Sequence, residues 1–320
     1  MDLFFYTDFF FYLYHMENRI GYCCICLSLA EYKVTTNRGM TQKTFLEKGL
    51  DYVSELALKN TEDLYKIIKF NGSKGINMYR MSSDMFPWMS EYEITSLPNF
   101  DGILYNLQRA GALSKKLDQR LTFHPSHFCV IASENPNVVT KSMKELRQHA
   151  EIMDLMGLDE SHHYPINIHI NTTKPTKEDA ANRFIESFNL LPHQVKNRLV
   201  VENDDKKSQF TPTDLYNMLY LKAGIPITYD YHHHFCNPDD LSQVEGLDLC
   251  IASWPEGISP LTHFSDSRKI FEDQSVKEVA HSDWIYTKIE TYGRNFSIEL
   301  EVKMKDLALL KYKEELCQKV

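Results

Sequence analysis

Short apolar runs recur along this chain, and nearly every one ends on a carboxylate or a histidine. They read Leu121-Thr122-Phe123-His124, Ile166-Asn167-Ile168-His169, Leu199-Val200-Val201-Glu202, Ile227-Thr228-Tyr229-Asp230, Leu261-Thr262-His263 and Ile298-Glu299-Leu300-Glu301. Their length and their β-branched or aromatic content predict buried strands. Two earlier runs, 20–27 and 75–81, complete a set of eight. Helical spacing fills the gaps, with helices predicted over 41–69, 102–117, 138–156 and 177–189. Another starts at Thr211-Pro212-Thr213-Asp214, where a capping residue precedes an early proline. Residues 239–244 and 307–315 read as helical too, 249–253 is a short apolar run, and 276–280 leads into a helix. Alternating strands and helices describe an α/β fold with a parallel sheet, and eight units close into a TIM (β/α)8 barrel. Functional groups of such barrels collect at the C-terminal strand ends, where these polar residues stand.

Composition changes that picture little. A length of 320 residues, 43% of them hydrophobic, suits one large barrel over 16–320. No linker or repeat divides it. The net charge of −9 is unlike that of a typical nucleic-acid binder, although bound divalent ions would offset part of it and a local basic groove is compatible with it. Seven irregularly spaced cysteines suit a reducing compartment (cytoplasm, nucleus or virion) better than a disulfide framework. Residues 3–14 are almost wholly apolar, but the stretch is too short to span a bilayer and lacks a basic start and a cleavage site. Residues 1–15 are therefore expected to be a dispensable extension ahead of Met16, and no membrane association is expected.

Six strand ends that carry imidazole or carboxylate would be costly to bury without a bound partner. Such donors suit Mn²⁺, Zn²⁺ or Fe²⁺, and the lack of cysteine in the set disfavours a structural zinc site. The densest segment is Asp230-Tyr231-His232-His233-His234, in which Asp230 and His233 can face one ion or two neighbouring ones. Glu202, followed by Asn203 and Asp204, is placed to bridge two ions. Two- and three-ion sites hydrolyse phosphodiesters, which makes phosphoryl chemistry the leading class and barrel sugar isomerases or epimerases the competitor.

The chain resembles the ultraviolet damage endonuclease family, relatives of the apurinic endonuclease barrels. The resemblance rests on Ile20-Gly21-Tyr22, Thr35-Thr36-Asn37-Arg38, Arg80-Met81-Ser82-Ser83-Asp84, Phe123-His124-Pro125 and Val201-Glu202-Asn203-Asp204. It continues through Asp230-Tyr231-His232-His233-His234, His281-Ser282-Asp283 and Glu301-Val302-Lys303-Met304-Lys305-Asp306. It implies incision of damaged double-stranded DNA, immediately 5′ of pyrimidine photodimers and related lesions. The ion ligands it implies are His124, His169, Glu202, Asp230, His233, His263, His281 and Glu301, holding two or three divalent ions, Mn²⁺ first among them. Glu301 fits the family register better than Glu299. Glu202 and Lys303 would be catalytic, and Tyr22, Arg80, His127, Phe128 and Lys305 would contact DNA or the lesion. A monomer with no obligate protein partner is expected. Three positions depart from the family. Pro125-Ser126-His127-Phe128 stands where Pro-Gly-Gln-Tyr is usual, Cys26 replaces an asparagine, and Leu261 replaces a lysine. They leave a catalytically impaired damage-binding protein as an alternative.

Overall fold

The computed structural model describes residues 18–317, so the 1–15 extension lies outside the described residues. Eight parallel strands close in sequence order: β1 (Ile20–Cys23), β2 (Met78–Met81), β3 (Arg120–Phe123), β4 (Ile166–Ile168), β5 (Leu199–Glu202), β6 (Ile227–Asp230), β7 (Leu261–Phe264) and β8 (Ser297–Leu300). This is the TIM barrel that the apolar runs predict.

The helices begin where local chemistry allows. Thr41 accepts from the Thr44 N–H ahead of α1 (Gln42–Ser73), and Asn135 with Pro136 opens α3 (Pro136–Leu155), after α2 (Phe100–Lys116). Thr176 caps α4 (Lys177–Leu190), and Asp230 itself caps the one-turn α5 (Tyr231–Cys236). A Ser242–Glu245 capping box opens α6 (Gln243–Ile251), and α7 (Lys305–Cys317) closes the chain. Helix α1 buries Val53, Ala57, Leu64, Ile67, Ile68 and Asn71 on one stripe, and Tyr22 donates from β1 to Asn71 Oδ1 at 2.9 Å.

Two expectations fail here. The stretches 239–244 and 249–253 are separate in the sequence pattern, whereas Gln243–Ile251 is a single helix begun by the Ser242 cap. Residues 276–280 lead into no helix. The region between β7 and β8 is irregular apart from the turn Arg268–Phe271.

Register decides which side chains enter the barrel, because in-register neighbours of a parallel sheet share a face. Glu202 pairs with Thr228, Asp230 with His263, His263 with Glu299, and Glu299 with Gly21. All of these point inward. An added Cβ at Gly21 would lie 2.3 Å from the Met78 carbonyl oxygen, so the close approach of β1 to β2 requires glycine. Met78, Val200, Trp254 and Leu261 form an apolar floor beneath the mouth. Among the described residues no helix is long and apolar enough to cross a membrane, and Cys23, Cys24, Cys26, Cys129, Cys236 and Cys250 are free.

Candidate metal centre

Glu202 ends β5 with no exposed surface, and four imidazoles reach its carboxylate. His124 Nε2 lies 3.1 Å and His169 Nε2 3.7 Å from Oε2, while His263 Nδ1 lies 3.1 Å and His233 Nδ1 3.2 Å from Oε1. Asn167, pointing inward from β4, donates to Oε2. Across the mouth, Glu301 Oε1 lies 3.2 Å from His263 Nδ1, and Oε2 lies 4.0 Å from His281 Nε2.

Backbone and side-chain groups outside the donor set hold the rings in place. Pro125 O is 3.0 Å from His124 Nδ1, Asn203 O is 2.9 Å from His233 Nδ1, and Ser265 Oγ is 2.7 Å from His281 Nδ1. Asp204 Oδ1 lies 3.2 Å from His169 Nδ1. Asp230 Oδ1 accepts from the His233 N–H at 2.6 Å, so the strand-end carboxylate that caps α5 also fixes His233. Such supports orient ligand rings and set their tautomers. Sequence reasoning missed Asn167, Asp204 and Ser265 in this capacity, because nothing in their local pattern marks them.

The donors fit bound cations. Four groups bring three ligand atoms each within 4.8 Å of one another: His124, Glu202 and His263; His169, Glu202 and His233; His233, His281 and Glu301; Asp230, His263 and Glu301. Two donors on one ion, each about 2.1 Å away, lie about 3.0–3.4 Å apart, which is the spacing of the Glu202 carboxylate from His124 and from His263. Glu202 Oε1, Asp230 Oδ2 and His263 Nδ1 are buried without a hydrogen-bond partner. Orphaned buried polar atoms are rare and need an occupant. Eight donors gathered at one barrel mouth can hold metal.

Electrostatics follow from the packing. Burial alone would raise the Glu202 carboxyl, but His263 and His169 outweigh it and hold it well below the usual carboxylate range. Burial likewise opposes ionisation of Glu301, and Arg80 with His263 overrides it. Asp230 is raised, by burial and by the negative charge of Glu202 and Glu301. Burial would lower His233 and His263, yet the carboxylates raise both, whereas His281 is lowered by burial with His233 adding to it.

The remaining expected site residues fall into two groups. His127 and Phe128 stand exposed on the loop after β3, Phe128 at 74%, with ring centroids 4.1 Å apart. Lys303 is exposed in the turn after β8, and Lys305, half-buried, is the first residue of α7. Tyr22 requires correction. Its register with Leu300 and Tyr79 turns it outward, where it is 0% exposed and bonded to Asn71, so it cannot reach a lesion. Arg80 enters the barrel and pairs with Glu301 and, at 3.5 Å, Glu299, which makes it part of the carboxylate cluster rather than an open phosphate contact. Cys26 is buried with its thiol on Asp306, and Leu261 belongs to the floor. Both are fully buried.

Beneath the His127–Phe128 loop sits Glu145, whose carboxyl is pushed up to about 7 by burial, against the favourable N–H of Ser126. A carboxyl raised in the folded state above its ordinary 4.5 binds its proton more tightly when folded. Its stabilisation is therefore complete below about pH 4.5 and is lost as pH rises through about 7. Glu145→Gln should raise Tm relative to wild type near pH 8 and leave it unchanged near pH 5, as thermal melts at the two pH values will show.

A closed barrel with imidazoles and carboxylates on its C-terminal rim places the protein among barrel enzymes that work at a strand-end site. The chain belongs to the UV-endonuclease UvdE family, whose model matches residues 18–320. It is 30% identical to the UV DNA damage endonuclease of Bacillus cereus strain B4264 over 305 residues, 93% of this chain and 94% of the relative. The crystal structure of SacUVDE superposes with a TM-score of 0.81 at 26% identity, covering 94% of this chain and 99% of that one. Endonuclease IV from Thermus thermophilus shares the fold, with a TM-score of 0.57 at 13% identity over 94% of this chain and all of that one. Family membership makes the protein an endodeoxyribonuclease of DNA repair.

Proposed function

We propose that the protein cuts the phosphodiester immediately 5′ of ultraviolet photoproducts in duplex DNA, using two or three divalent ions, Mn²⁺ first, with Zn²⁺ and Fe²⁺ as alternatives. Cyclobutane pyrimidine dimers and 6-4 photoproducts are its main substrates, with abasic sites as a further one. The observation that carries this reading is Glu202, wholly buried and reached by four imidazoles. His124, His169, Glu202, Asp230, His233, His263, His281 and Glu301 would hold the ions. When bound, the ions would supply an activated water and positive charge to stabilise the departing oxygen.

The chain's own groups do the rest. Glu202 offers oxygens on two sides and can serve two ions at once. Lys303, exposed beside the donor cluster, is set to meet the phosphate, with Lys305 behind it. Lys206 and Lys207 stand exposed after β5, on the far side of the mouth from β8, and can hold the backbone there. His127 and Phe128 form the aromatic tip that fills the gap left by unstacked damaged bases, since unstacking costs least at a lesion. The protein acts as a monomer on DNA.

Phe128→Ala should weaken binding to dimer-containing duplex by about tenfold or more, the worth of one stacked base. Binding to undamaged duplex and the metal content should stay unchanged. A gel-shift titration of both duplexes reads this, and equal loss on both would remove Phe128 from lesion recognition. The cut itself is tested by adding a polymerase to the product: extension from the nick requires the 3′ hydroxyl that this reading predicts, and a blocked end would contradict it.

A further inference from the structure

Glu299 is a fully buried carboxylate that the ligand set does not use. It points into the barrel one layer below Glu301, in register with His263 on β7. Thr122 donates to Oε1, while Oε2 lies 3.0 Å from His263 Nε2 and 3.5 Å from the Arg80 guanidinium. His263 Nε2 and Glu299 Oε2 are both buried and neither makes an aligned hydrogen bond, so their 3.0 Å approach is a close ionic contact. Glu299 belongs to none of the three-donor groups. The His263 ring stands between it and them, with Nδ1 turned to Glu202 at 3.1 Å and Glu301 at 3.2 Å.

That arrangement determines which nitrogen is free. A neutral imidazole carries one proton, and a carboxylate beside Nε2 draws the proton there. The lone pair is then left on Nδ1, facing the rim. Burying a carboxylate for stability alone is a poor device, because an apolar residue of similar volume usually serves the fold as well or better. The site at the barrel mouth supplies a reason for it.

We propose that Glu299 is a positioning residue: it fixes the tautomer and angle of His263 so that Nδ1 presents its lone pair to a bound divalent ion. The proposal rests on the reading that the rim holds such ions. Glu299 acts through His263 and touches no ion itself. Thr122 and Arg80 hold the carboxylate in place, so the support runs from β2 and β3 through β8 to β7.

The test uses the full chain purified with its metal, in wild-type, Glu299→Leu and Glu299→Gln forms. Ion content is counted by elemental analysis, and affinity is measured by competition with a Mn²⁺ chelator. The Co²⁺-substituted protein adds a visible spectrum that reports the ligand field. Glu299→Leu should lose about 10- to 100-fold in affinity for one ion, the usual effect of removing an outer support of a ligand histidine. Its Co²⁺ spectrum should change, and both effects should persist whatever melting temperature the metal-free protein loses with the buried partner of His263 and Arg80. Glu299→Gln keeps an acceptor oxygen, so it should fall between the two; it also preserves the test if the leucine variant fails to fold. A purely structural role would lower the melting temperature of the metal-free protein and leave affinity and spectrum alone, which would overturn the proposal. Wild-type protein that binds no ion would overturn it together with the reading beneath it.

Discussion

Glu202→Gln is expected to abolish incision while leaving a folded barrel. Glutamine keeps the shape of glutamate and can still meet the Asn167 amide, so β5 and the floor beneath it are undisturbed. What it loses is the full negative charge and one acceptor oxygen at the point where His124, His169, His233 and His263 converge. Among the described residues no other carboxylate reaches all four rings. A central ligand of this kind supports several kcal/mol of transition-state stabilisation, and each 1.4 kcal/mol is about tenfold in rate. The loss should therefore be at least about 10³-fold in kcat, with a melting temperature measured alongside to exclude unfolding. Incision by the variant at the wild-type rate would remove Glu202 from the chemistry.

Stripping the protein with a chelator should be as severe, and it adds a readout in stability. Glu202, Asp230 and Glu301 crowd one cavity, and burial together with the other two carboxylates already opposes ionisation of Asp230. Bound cations would relieve that crowding. Any ion that binds the folded chain and not the unfolded one stabilises it by mass action, by about 2.7 kcal/mol at a hundredfold excess over Kd. Chelation should thus lower Tm and end incision on every duplex, and added Mn²⁺ should restore both. An unchanged Tm and undiminished cutting, in protein shown by elemental analysis to be metal-free, would contradict the metal centre.

The barrel was legible because each strand is a short apolar run with a polar terminus, and runs of this sort have few other ways to be buried. The register of its mouth was legible only in part. From β3 to β8 the polar terminus itself marks the inward face, which is why His124, His169, Glu202, Asp230, His263 and Glu301 come together as their pattern implies. On β1 no such mark exists. Tyr22 lies next to a glycine whose inward direction emerges only from its pairing with Glu299, and the tyrosine consequently faces the helices. Glu299 and Glu301 share a face by strand alternation, but their depths along the barrel axis differ, and depth separates a support from a rim donor. Asp204, Asn203 and Ser265 hold histidines through contacts between segments beyond the strand ends, 16 or more residues apart in sequence, and no local spacing encodes those. The segment between β7 and β8 misled for another reason: it is held by Asp266, which accepts from the backbone N–H groups of Tyr286 and Thr287, rather than by periodic apolar contacts.

On the proposed reading, this rim holds divalent ions and cuts beside damage. That reading is met most directly by an end-labelled duplex with one cyclobutane dimer, incubated with the protein and Mn²⁺ beside an undamaged duplex, with and without chelator. A single cut immediately 5′ of the dimer is expected, absent from the undamaged duplex and lost on chelation. No cut by protein that demonstrably carries its ions, or equal cutting of both duplexes, would contradict it.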